Sequence, residues 1–272
     1  MMNLLIAESS RLWARRMTRF FPLGVAVLFV VGVVIAYFVI TNGDDDVDFV
    51  NDVAGGIEAL ELLGPVTTLM PIMAFVIGAS SIGADVKTGM LEQILTWEPR
   101  RLRLLAARLA STIVGVGILA IALAVFLIVL LFALSAVVGT TGGTTGEFWG
   151  NVAVIVFRTG VAAGLFAAFG VGITLLINNS IGSIVGFIIY WFVIENIIIS
   201  AFLPRIGVFL PIANADAFAS GRDVERIDGS VFSDDFDFIQ SHSYLVAGLI
   251  LLLWVLAAVV GGAIMFARRD ID

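Results

Sequence analysis

Of 272 residues, 60% are apolar and only 14% are charged, with 15 Lys and Arg against 22 Asp and Glu for a formal net charge of −7. Ordinary soluble domains carry about 25% charged residues. One globular core cannot hide this much apolar side chain, so a soluble enzyme and a disordered tail are excluded, and the missing basic footprint excludes a nucleic-acid binder. The absence of cysteine removes disulfides, thiolate nucleophiles and Cys-ligated metals, while the single histidine, His242, leaves no His-based zinc site or Ser/His/Asp triad to assemble. The composition is that of an all-α, polytopic integral membrane protein, and no catalytic, cofactor-binding or metal-ligating residue is assigned.

Residues Met1–Phe20 place Met2, Leu5, Ile6, Leu12, Trp13, Met17 and Phe20 at helical spacing, with Arg11, Arg15, Thr18 and Arg19 on the other side. This predicts a helix lying in the membrane interface with its basic face towards anionic lipid heads. A span needs about 20 apolar residues to cross roughly 30 Å of hydrocarbon. Six stretches meet that requirement: Phe21–Ile40, Pro65–Gly83, Ala110–Leu134, Val152–Ile177, Ile181–Phe202 and Tyr244–Phe266. The first is read as an uncleaved span, because its apolar run is long and no small-residue cleavage site follows it. Pro71 predicts a local break in the second.

Thr41–Glu61 holds seven carboxylates and no base. Its Asp44-Asp45-Asp46 triplet lacks the alternating spacing and glycine of a calcium loop, and it reads as solvated surface. Between the second and third spans, residues 84–109 form a connection in which Ala84–Glu98 is patterned as an amphipathic helix, ended by Pro99. A second helix then runs from Arg100 through Arg108 into the third span. Residues 203–243 are too long for a plain connection, and their apolar stretches Ile206–Ala213 and Val231–Ile239 predict short helices at the membrane surface.

Eleven Lys and Arg residues fall in the N-terminal segment, the 84–109 connection and the C-terminus, against three in the opposite loops and Arg158 within the fourth span. The bias of basic residues places both termini in the cytoplasm. On that topology the cytoplasmic segments sum to +5 and the outer loops to −12, with Arg158 and Glu195 cancelling inside the membrane. Ionisable residues at such depth are costly and mark a role. Each lies six or seven positions from the outer surface, roughly 10 Å deep. Their spans are joined by the tight Asn178-Asn179-Ser180 turn, so Arg158 and Glu195 are expected to pair or to share a polar network. The glycines of Gly160-x-x-x-Gly164 and Gly182-x-x-x-Gly186 are weak signals of close helix approach.

The stretch from Gly78 through Ser80-Ser81-Ile82-Gly83, Asp85, Thr88-Gly89-Met90-Leu91 and Pro99-Arg100-Arg101 to Arg108 resembles the signature between the second and third spans of ABC-2 type transporter permeases. Here Asp85 stands where Glu is usual, Thr88–Leu91 is a shuffled Gly-Thr-Leu step, and Arg108 replaces a Lys. Phe209-Leu210-Pro211 and the Phe266–Ile271 tail also resemble segments of that family, so the likeness covers nearly the whole chain. It implies a six-span permease of an exporter, paired with a second copy or a paralogue. A separate ATP-binding subunit would dock on the cytoplasmic connection, through Asp85, Lys87, Glu92, Arg100 and Arg101. ATP and Mg would belong to that partner: the one lysine, Lys87, follows Val86, so no Gly-Lys-Ser/Thr phosphate cradle exists in this chain. The alternative, an ion-coupled secondary transporter or channel without a nucleotide partner, predicts inverted repeats and several intramembrane acids. The spans hold one, Glu195.

Overall fold

A computed structural model describes residues 2–42, 64–87, 101–138, 145–199, 202, 204–227 and 238–268. Helix α1 (Met2–Ala14) stops at Arg15, and α2 (Arg16–Asn42) begins at once. They are followed by α3 (Gly64–Lys87), α4 (Arg101–Val138) and α5 (Gly146–Ile177). Helix α6 (Ser180–Ile189) passes directly into a π-helical segment, Tyr190–Ile199. Two short helices, α7 (Pro204–Gly207) and α8 (Pro211–Ser220), precede an antiparallel ribbon of β1 (Val224–Ile227) and β2 (Phe238–His242), and α9 (Tyr244–Arg268) closes the order.

Among the described residues five helices are long and apolar enough to cross a membrane: α2, α4, α5, α6 with its π continuation, and α9. Helix α3 contributes a shorter apolar stretch, Thr67–Gly83. The molecule is therefore a helical membrane protein. Pro71 lies inside α3 and does not end it. The π segment answers a problem of phase. In an α-helix the eight residues from Phe187 to Glu195 would overshoot two turns by about 80°. The wider i→i+5 turn takes up that excess, so both side chains are buried on the inner face.

Helix α5 is the central element, with 72% of its apolar window buried against 17–33% for the other four. Its glycines explain this. A Cβ on Gly78 of α3 would fall on the Ala167 backbone, one on Gly170 on the Phe75 carbonyl, and one on Gly172 on the Ala258 backbone of α9. Only hydrogen at these positions lets the three helices touch backbone to backbone. Gly160 and Gly164 likewise meet α4, at Gly117, Ile121 and Ile113, so that small-residue motif is spent inside the chain. Gly186, by contrast, faces nothing within 4 Å. Around the close contacts Phe75 stacks on Phe187 with ring centroids 3.8 Å apart, and Phe166 and Phe169 pack edge-on to complete the core.

The turn between α5 and α6 is built by adjacent asparagines. Asn178 adopts the left-handed conformation (φ 58°) and donates its N–H to Thr174 O, ending α5. The Asn179 side chain accepts from the amides of Ile181 and Gly182 at 3.0 and 3.1 Å, starting α6.

Three expectations are corrected. Within the segment expected as one helix over Met1–Phe20, residues 2–20 form two helices broken at Arg15, with Glu8, Leu12 and Thr18 buried while Ile6, Trp13, Met17 and Phe20 stay exposed. Leu12 reaches Gly115 of α4, where no Cβ is in the way, so packing against α4 selects the Glu8–Leu12 face over the more apolar one. The Ile206–Ala213 stretch is split, because Pro211 takes the first position of α8 after a turn at 208–210. The ribbon is not helix: Val224 pairs with His242 and Ile227 with Phe238, across an irregularity between Val224 and Arg226. Residues 231–237 of the other expected stretch lie outside the described residues.

Candidate functional site

Helix α8 is seated among the spanning elements, and a set of polar side chains from several elements converges on it. The Leu210 side chain cannot cap it, so an amide of its first turn needs a partner from elsewhere. Glu195 supplies one: a carboxylate oxygen accepts from the Ala213 N–H at 3.1 Å, with the residue only 2% exposed. At the other end Gly221 takes φ 76° and donates its N–H to Ala217 O at 2.9 Å. The Arg158 guanidinium lies against Gly221, where it would collide with any Cβ, and over the ring of Tyr244, 4.3 Å from its centroid.

Of the two arrangements expected for Arg158 and Glu195, a direct ion pair or a shared polar network, the direct pair is not formed; both side chains instead engage α8. The structure carries the anion to the N-terminus of α8 and the cation to its C-terminus, the ends where the helix dipole favours each sign. A ten-residue helix of about 15 Å separates the ends they engage.

Along α8, Asp216 accepts from the hydroxyls of Thr67 and Thr68 of α3 at 2.5 and 3.1 Å. Asn214, fully buried, donates both amide hydrogens, to Val208 O at 2.8 Å and Leu210 O at 2.7 Å. Its Oδ1 must then act as acceptor, which assigns the proton of the 2.9 Å contact to His242 Nε2. Phe209 stacks on the same imidazole. Asp223, beyond the cap, accepts from the Tyr244 N–H at 3.3 Å and so starts α9. A cavity of about 350 Å³ opens between α3, the π segment and α8, lined by Thr68, Trp191, Glu195, Asn196 and Asp216 among others. Glu195 and Asp216 each enter its wall with one carboxylate oxygen engaged by protein donors. Among the described residues no group of three or more His, Asp or Glu is placed to hold a metal ion.

Burial lowers the His242 pKa below its ordinary 6.5, against a smaller opposing pull from Asp223. A depressed histidine favours the neutral form on folding, so its stabilisation is complete above pH 6.5 and is lost as pH falls through the lowered midpoint. Because this is the chain's one imidazole, its NMR titration is directly assignable, and a midpoint below 6.5 is expected. A midpoint at or above that value would contradict the partial burial of the ring.

Of the residues expected to dock a partner, Asp85 and Lys87 fall in the last turn of α3 and Arg101 begins α4. Glu92 and Arg100 lie outside the described residues, as does 88–98 of the expected amphipathic helix. The sequence reading missed Glu8. Its carboxylate binds Arg108 Nε at 3.0 Å and Arg11 at 3.2 Å, and the Glu8–Arg108 pair is about 5% exposed on both sides. Arg15 donates from the α1–α2 break to Ser80 O at 3.2 Å. A lone acid in an otherwise basic segment was the available signal. No protein-family model and no curated protein matches this chain.

Proposed function

We propose that the chain is the permease subunit of an ABC-2 type exporter, driven by a separate ATP-binding subunit. The observation that carries this reading is the tie at one end of the bundle. Glu8–Arg108 fastens α1 to the start of α4, and Arg15–Ser80 fastens the α1–α2 break to the last turns of α3. Helices α3 and α4 flank the connection that resembles the family's docking segment, so a force applied there enters a braced pair of helices.

In this reading α3 is a sixth span, supported by its burial against α5 and by the apolar run Thr67–Gly83. Both termini face the cytoplasm of the cell membrane, as the basic residues favour. A second permease copy, or a paralogue, completes the transporter, and ATP with Mg binds to the partner subunit.

Purified in mild detergent from its own host, the chain should bring down a nucleotide-binding subunit whose ATPase activity depends on the permease. Asp85→Lys combined with Arg101→Glu should lower that coupled activity at least tenfold with the permease still folded. Undiminished coupling in this double variant overturns the docking assignment.

A further inference from the structure

We propose that α8 is a movable closure of the 350 Å³ cavity, latched to α3 by the hydroxyls of Thr67 and Thr68 on Asp216. What would move α3 rests on the permease reading; the latch itself does not.

Polar contacts from four elements hold this helix: Glu195 of the π segment at its start, Arg158 of α5 at its end, and His242 of β2 and the α3 threonines along its middle. Apolar packing contributes less than usual, because Ala213, Ala215, Ala217 and Ala219 make up four of its ten residues and each buries little area. The seat therefore depends on polar geometry, and such bonds weaken steeply once the donor and acceptor move beyond about 3.5 Å. The chain on either side can turn: a bend at 208–210 precedes α8, and left-handed Gly221 follows it.

The contacts are not equal under motion. Glu195 and Arg158 lie on elements joined by the tight Asn178-Asn179 turn. Thr67 and Thr68 sit on α3, whose opposite end, about 18 Å away by helical rise, carries Ser80 and leads into the 88–100 connection. An axial shift of α3 by an ångström or two relative to α5 stretches the threonine–aspartate bonds first. Release there lets α8 swing on Gly221 and opens the cavity that Ile212 and Asp216 help to wall.

The chain has no native cysteine, so one introduced thiol reports one position. Ile212→Cys, on the buried cavity wall, should react slowly with a membrane-impermeant maleimide when the full chain is in native membranes. Thr67→Val with Thr68→Val keeps the side-chain shape and removes both donors, and it should speed that labelling about tenfold. Asp216→Ala removes the acceptor of the same two bonds and should speed the labelling to a similar extent. A thiol at Ala163, fully buried in α5, should stay unreactive throughout. An unchanged Ile212→Cys rate in the double valine variant overturns the latch. Equal acceleration at Ala163→Cys also overturns it, since α8 would then open only with the whole bundle. Neither result depends on a nucleotide-binding partner, so failure here and failure of the docking assignment remain distinguishable.

Discussion

Replacing Glu8 by alanine is expected to destabilise the protein by about 3–5 kcal/mol, because it leaves the Arg108 guanidinium inside the bundle without its carboxylate. The residue sits in a basic N-terminal segment where a loss of one negative charge would ordinarily pass unnoticed. Its burial decides otherwise: both members of the pair are about 5% exposed or less, so water cannot take over the lost interaction. Thermal unfolding in detergent, followed by tryptophan fluorescence, should show a fall in Tm of about 10 °C. The double variant Glu8→Leu/Arg108→Met removes both charges together and should recover most of the loss, as apolar replacements of buried pairs often do. A Tm for Glu8→Ala within about 2 °C of the parent would mean that α1 is not fastened to α4 in the folded protein.

The second large effect is expected at Gly78. An alanine there would place a methyl group on the backbone of Ala167, and a backbone cannot step aside as a side-chain tip can. Overpacking of a core usually costs about 1–3 kcal/mol; with a carbonyl as the obstacle the loss should reach the top of that range or exceed it. Helices α3 and α5 would have to part along the line that also includes Gly170. Gly24→Ala in α2 is the matched control, since nothing lies within 4 Å of its Cβ position, and there the helix propensity of alanine should stabilise by up to about 1 kcal/mol. Equal unfolding temperatures for the two variants would show that the α3–α5 approach is looser than described.

The contrast between these glycines also marks what a sequence can and cannot disclose. Hydropathy located the helices, because length and apolar content are properties of a segment alone. It could not tell Gly78 from Gly24, because which glycine meets a neighbour depends on packing. Arg158 and Glu195 were found as charges within apolar runs for the same local reason, but of the two arrangements expected for them, a direct pair or a shared network, the direct pair is not the one formed. Equal depth and a shared turn placed them near each other, but rotational phase was hidden by the π segment, whose wider turn leaves no trace in apolar periodicity. Helix α8 itself was partly legible, with Pro211 just inside its start and Gly221 just past its end. Those two residues bracket the helix more sharply than the apolar stretch Ile206–Ala213 does. Asp85 and Lys87 illustrate a different limit: their motif was visible, but the docking role proposed for them with Glu92, Arg100 and Arg101 concerns a second molecule.

Setting Arg158 and Glu195 at opposite ends of α8 has a consequence for exchangeability. A directly bonded pair can be inverted, Arg for Glu and Glu for Arg, with both charges still satisfied. Here each charge answers to the polarity of a peptide helix, which is fixed by the direction of the chain. The inverted variant Arg158→Glu/Glu195→Arg conserves net charge and composition while setting both side chains against the ends they face. These two positions are therefore tied to their signs, and drift between acid and base at either one cannot be compensated at the other.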